Sequence, residues 1–140
     1  MTEFKIIVGL PGSGKTTLAK AWLSEMDDYA LAHTVFYDDL CLNIENAINT
    51  FNKELHKTVI ITDPKMTMSH PDQINEKLRK MFPCDDYIFN YYYFENDPEA
   101  CIINATRDPK PGGTINFIKM ASKVYNVPTG ATVFKVYKNE

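Results

Sequence analysis

Residues Gly9 to Thr17 read Gly-Leu-Pro-Gly-Ser-Gly-Lys-Thr-Thr, and this spacing of glycines, lysine and hydroxyls suits one chemistry, the holding of phosphate. Gly9, Gly14, Lys15 and Thr16 occupy the fixed positions of a phosphate-binding loop (P-loop): Gly, four residues, Gly-Lys, then Ser or Thr. Gly12 and Gly14 permit backbone turns that a side chain would forbid, and they let phosphate oxygens come close to the loop amides. The amides from Gly12 and Ser13 through Thr17, opening a helix, form an anion site. Lys15 reaches the outer phosphates as a flexible point charge, and the Thr16 hydroxyl suits Mg²⁺. The implied ligand is ATP or another nucleoside triphosphate with its Mg²⁺.

Such a loop needs a strand before it and a helix after it. Phe4 to Val8 is a short apolar run leading into the loop, and Leu18, Trp22 and Met26 recur at helical spacing beyond it. Further carboxylates stand where later strands should end. His33 to Tyr37 predicts a strand that stops at Asp38-Asp39, and Thr58 to Ile61 continues through Thr62 to Asp63, with Pro64 blocking continuation. In an open α/β sheet the ligand gathers at the carboxyl ends of the strands, so the loop, Asp38-Asp39 and Asp63 should converge.

Phosphoryl transfer to a hydroxyl requires a carboxylate for the acceptor proton, a metal, and positive charge on the migrating group. Asp38 suits the base and Asp39 an acceptor-binding role, or the pair simply caps the next helix. Asp63 suits Mg²⁺ through water or the acceptor, or else is a turn carboxylate. Arg107, just before the loop Asp108-Pro109-Lys110-Pro111-Gly112-Gly113, could ride a lid onto the β- and γ-phosphates, or end its helix in solvent. The lid is expected around residues 104–113.

The remaining pattern places these groups. Leu40, Ile44, Ala47, Ile48, Phe51 and Leu55 fall on one face of a helix capped by one of the two aspartates, and Pro71 to Phe82 predicts another. Tyr87 to Phe94 is aromatic and strand-prone. Asp97 opens a helix to about Arg107, and Thr114 caps a last one with Phe117, Met120, Ala121 and Val124 inward. Ala131 to Tyr137 alternates as a final strand. The alternation predicts a single α/β domain over residues 1–140, a three-layer sandwich with a five-stranded, mainly parallel sheet and helices on both faces.

At 140 residues there is room for one domain and none for two. A net charge of −3 gives no general basic field for nucleic acid or an anionic membrane, and only two arginines, Arg79 and Arg107, are present. Cys41, Cys84 and Cys101 are widely spaced, with no zinc pattern, which predicts free thiols in a reducing cytoplasm. No apolar run is long enough to span a membrane, and the first strand leaves no space for a signal peptide. Tyr91 to Phe94 could stack bases, but strand alternation favours core packing, and Lys77, Arg79 and Lys80 form either a nucleic-acid contact or a solvated face.

The chain resembles the kinase domain of phage-type polynucleotide 5′-hydroxyl kinases, within the small P-loop kinases. The resemblance runs collinearly from Lys5 to about Pro128. It rests on GLPGSGKTT, on FYDDL, on VIITDPKMT, on Asn104-Ala105-Thr106-Arg107 and on the helix ending YNVP. It implies ATP-dependent transfer of the γ-phosphoryl group to a hydroxyl, with Asp38 as base, Lys15 and Thr16 on phosphate and Mg²⁺, and Arg107 as lid arginine. Two positions depart from that pattern. Cys41 stands where the family has an arginine for the acceptor's 3′-phosphate, and Ile103 where it has a second lid arginine. The first reading of the acceptor is the 5′-hydroxyl of a polynucleotide end; the alternatives are a kinase for a nucleoside, nucleotide or other small hydroxyl-bearing metabolite, and a nucleotide-holding regulatory module that transfers nothing.

Overall fold

The computed structural model describes residues 1–108 and 110–137; Pro109 of the expected lid and residues 138–140 of the expected domain lie outside the described residues. Five strands, β1 (Thr2–Val8), β2 (Thr34–Tyr37), β3 (Thr58–Thr62), β4 (Tyr87–Phe94) and β5 (Thr132–Phe134), pair entirely in parallel in the order β2-β3-β1-β4-β5. Ile6, Ile7 and Val8 are consecutive and buried, as are Val59, Ile60 and Ile61. Successive strand residues point to opposite faces, so both faces of the central strands are covered. All five expected strands are present, β5 shorter than its alternating pattern.

The helices are α1 (Lys15–Glu25), α2 (Asp28–Ala32), α3 (Ile44–Thr50), α4 (Pro71–Met81), α5 (Pro98–Arg107) and α6 (Thr114–Ser122). Their starts follow local chemistry. Asp97 accepts from the Ala100 amide ahead of α5, and His70 and Gln73 form a reciprocal cap on α4, each with proline in the first turn. α2 has no counterpart in the sequence reading. It is a five-residue turn held by the Asp27 carboxylate on the Ala30 amide, too short to carry a periodic pattern.

Two expectations are corrected. The long helix from Leu40 is instead a 3-10 turn (Leu40–Leu42) followed by α3. Asn43 between them is non-helical (φ −134°, ψ 28°), which resets the helical phase. Leu40 and Ala47 are therefore buried, whereas Ile48 and Leu55 are exposed. Neither aspartate side chain caps this segment. At α6, Gly113 (φ 88°) holds the cap position and the Thr114 hydroxyl turns to the Pro111 carbonyl. Ile118 and Ala121 face inward, while Met120 and Val124, the latter beyond the end of α6, are exposed.

The core is aromatic on the β2–β3 side. Phe4 lies 5.8 Å from Phe82, whose ring stacks on Tyr37 at 5.6 Å and meets Phe51 edge-on at 5.2 Å. Tyr93 and Phe94 are buried, so half of the aromatic run is core, and Tyr92 packs edge-on against Trp22 of α1. The Tyr125 hydroxyl reaches the carbonyls of Val8 and Phe94. One side chain thereby ties together the ends of β1 and β4, where the P-loop begins. Among the described residues no helix is long and apolar enough to cross a membrane.

Candidate active site

The P-loop is fixed from below by close packing. Gly12 adopts φ +83°, and a Cβ there would sit 2.6 Å from the Cys101 carbonyl oxygen of α5. At Gly9 a Cβ would meet the Ser13 hydroxyl at 2.5 Å; that hydroxyl is buried and has no hydrogen-bond partner among the described residues. The Asn104 amide of α5 donates to the Gly12 carbonyl at 2.9 Å and to the Tyr137 carbonyl at 2.6 Å, joining loop, helix and the segment after β5.

Lys15 is 7 % exposed and its Nζ donates to the Leu10 carbonyl at 3.0 Å. Desolvation lowers its pKa from 10.5 to about 8, against the opposing pull of Asp39, Cys101, Asp38 and Asp63. Below that pH the ammonium is present for phosphate; above it the free protein holds a neutral amine. Nucleotide binding should therefore take up a proton and weaken by up to about tenfold per pH unit above the Lys15 pKa. Calorimetric titrations in buffers of different ionisation enthalpy check this; pH-independent affinity with no proton uptake would contradict it. The same shift should make the fold more stable as pH rises from about 8 towards 10.5, since there the unfolded chain holds a proton that the folded chain lacks.

Asp38 and Asp39 end β2 beside the loop, and Thr62 ends β3 between them. The Asp38 carboxylate accepts from Thr62 Oγ1 at 2.6 Å and from Thr16 Oγ1 at 3.0 Å. The Asp39 amide donates to Thr62 Oγ1 at 3.0 Å. Burial, then the neighbouring Asp38 charge, pushes the Asp39 carboxyl above its ordinary range. Asp63 is buried, and its carboxylate accepts from the Lys65 amide at 3.0 Å. Burial, then a hydrogen bond with Asp63, pushes the Cys41 thiol up to about 11.

Of these groups Asp39 and Cys41 border a cavity of about 630 Å³. The loop side contributes Gly12, Gly14, Lys15, Thr16 and Thr17; the facing wall carries Asp39, Cys41, Leu42 and Lys65. Asp108, Lys110 and Gly112–Gly113 of the expected lid complete the rim with Phe117 and Tyr137. Arg107 is exposed on the last turn of α5 and is not part of the wall; the lid cation that borders the cavity is Lys110. The carboxylate that meets Thr16 is Asp38's, whereas Asp63 is turned to the start of the following 3-10 turn.

Among the described residues no group of three or more carboxylate, histidine or cysteine side chains could cage a metal. A nucleotide's Mg²⁺ needs no such cage, because it keeps waters and phosphate oxygens and takes one or two protein oxygens. Thr16 and Asp38 fit that demand. Thr62, Lys65 and the bridging role of Asn104 were not singled out by sequence. Thr62 reads there as one more strand residue, and its position directly before Asp63 is the only available signal.

No family model matches the sequence. The chain is 30 % identical over 128 residues to an uncharacterized protein of Acanthamoeba polyphaga mimivirus, spanning 89 % of this chain and 86 % of the viral one. It belongs to the family of that viral protein. Among solved structures, a gluconokinase from Sinorhizobium meliloti superposes with a TM-score of 0.57 over 99 % of this family member and 84 % of the enzyme, at 12 % identity. A shikimate kinase from Bacteroides thetaiotaomicron gives 0.49 over 96 % and 86 %, at 15 % identity. The family member thus has the five-stranded parallel α/β fold of small P-loop kinases.

Proposed function

We propose that this protein is a kinase that transfers the γ-phosphoryl group of ATP, or another nucleoside triphosphate, to a hydroxyl of a small molecule. The observation that carries the reading is the single cavity in which Lys15 and Thr16 of the P-loop face Asp39 across a space of about 630 Å³. Lys15 would exchange the Leu10 carbonyl for phosphate oxygens and neutralise charge developing on the migrating group. Mg²⁺, when bound with the nucleotide at Thr16 and Asp38, supplies further positive charge there. Segment 104–113 would act as a lid, with Lys110 at its rim and Arg107 brought in only if it closes.

A small acceptor is favoured by the distribution of charge. Neither arginine borders the cavity: Arg79 lies over the rings of Tyr87 and Phe89, at the start of β4 and so at the opposite end of the sheet. Lys65 and Lys110 are the cations on the acceptor side and the rim, enough for one anionic group and few for a polynucleotide backbone. A fold shared with a gluconokinase supports the same reading.

The second reading, a polynucleotide 5′-hydroxyl acceptor, is favoured by the collinear order of FYDDL, VIITDPKMT and the segment ending at Arg107. Cys41 separates the two, since it borders the cavity above Asp63. Arginine there could be oriented by Asp63 and pair with an acceptor phosphate in two-pronged geometry. In the natural protein, kcat/KM for a nucleoside 3′-phosphate should barely exceed that for the nucleoside. Cys41→Arg should raise that preference about tenfold if the polynucleotide reading holds, an interaction of about 1.4 kcal/mol. No gain, with sugars or sugar acids remaining the better acceptors, would support the small-molecule reading. Oligonucleotides that outcompete every small acceptor in the natural protein would refute it.

A further inference from the structure

Asp38 and Asp39 are neighbours in sequence with different surroundings. Asp38 has its carboxylate engaged from two sides. Thr62 Oγ1 lies 2.6 Å from Oδ1, and Thr16 Oγ1 lies 3.0 Å from Oδ1 and 3.2 Å from Oδ2. It does not border the cavity. Asp39 does border it, and no cap hydrogen bond engages its side chain. Its backbone is left-handed (φ 46°), the only non-glycine with positive φ among the described residues. Such a conformation costs about 1–2 kcal/mol and persists where the surroundings enforce it. Here the Thr62 hydroxyl does so, accepting from the Asp39 amide while donating to Asp38.

We infer that Asp39, rather than Asp38, is the carboxylate that takes the acceptor's proton, and that Asp38 serves with Thr16 on the metal side of the nucleotide. This assignment rests on the kinase reading above. A base must touch the acceptor hydroxyl. Of the two carboxylates that line the cavity, Asp108 is paired with Lys110 at 3.2 Å, so Asp39 is the one that can do so without breaking other bonds. In the step, the acceptor oxygen bonds to the γ-phosphorus, and the bond from that phosphorus to the β–γ bridging oxygen breaks. The electron pair leaves with the nucleoside diphosphate, and the hydroxyl proton passes to Asp39. Asp38 meanwhile keeps its place beside Thr16, where a hydroxyl and a carboxylate from different elements form a ligand pair. Thr62 is the positioning residue that holds the two aspartates to different tasks.

The test measures two quantities in each variant: the Mg²⁺ midpoint for binding a fluorescent nucleotide, and phosphoryl transfer. Asparagine tolerates the left-handed backbone, so Asp39→Asn should fold and keep its Mg²⁺ midpoint within about twofold while transfer falls about 10²–10⁴-fold. Asp38→Asn should raise the Mg²⁺ midpoint about tenfold or more, measured without any acceptor. If Asp38→Asn does not fold, Asp38→Glu serves for the same titration. Near-normal transfer by Asp39→Asn, or an unmoved Mg²⁺ midpoint when Asp38 is replaced, would overturn the assignment. Natural protein that binds Mg²⁺-nucleotide yet phosphorylates no acceptor would overturn the kinase reading and the role of Asp39 with it. The Mg²⁺ titration would still decide the role of Asp38.

Discussion

Replacing Lys15 by alanine is expected to lower kcat/KM for phosphoryl transfer by about 10²–10³-fold while the protein stays folded. Both halves of this result come from the same burial. In the free protein the ammonium is desolvated and satisfied chiefly by one carbonyl, that of Leu10. Desolvation is a cost to the fold, so removing the charge should leave the melting temperature unchanged or raised. In the nucleotide complex the same low-polarity setting strengthens the attraction of the ammonium for phosphate. The measurement is a transfer assay paired with a thermal melt. An unfolded variant, or a folded one with near-normal transfer, would remove the P-loop from the catalytic role given to it.

Gly12→Ala should be damaging for a different reason. Left-handed backbone at φ +83° penalises any Cβ, and this Cβ would also meet the Cys101 carbonyl oxygen at 2.6 Å. Strain and overpacking together should cost about 2–4 kcal/mol, read as a fall in the urea midpoint, with nucleotide affinity lost as the loop lifts from α5. Gly113→Ala is the internal comparison. Its φ is +88° but nothing lies within 4 Å of the added carbon, so only the backbone penalty of about 1–2 kcal/mol should remain. Equal effects at the two glycines would mean that the packing of the loop on α5 does not matter.

The parts of this molecule that were legible in its sequence are those set by local chemistry. Gly9 to Thr17 carries its own signature, and Val59, Ile60 and Ile61 announce a strand covered on both faces. Asp38, Asp39 and Asp63 were placed near the loop by one rule, that ligands gather where parallel strands end. What remained hidden depends on single residues meeting across long stretches of chain. Thr62 lies 24 positions from Asp38, and Asn104 lies 92 from Gly12. No periodicity links such pairs. The different settings of Asp38 and Asp39 were equally hidden, because they depend on a positive φ at one of them and on which carboxylate a threonine engages. The helix expected from Leu40 failed for a related reason. The same turn that puts Asp39 on the cavity wall breaks the helical phase before Ile44.

Kinase activity is tested by transfer of label from γ-labelled nucleoside triphosphate, with Mg²⁺, by the purified protein. The acceptor panel should hold sugars and sugar acids, nucleosides, nucleotides and 5′-hydroxyl oligonucleotides. A phosphorylated small acceptor is expected from the natural protein, reduced at least about 10²-fold in Lys15→Ala. Tight nucleotide binding with no label transferred to any acceptor would contradict the kinase reading and leave a nucleotide-holding module in its place.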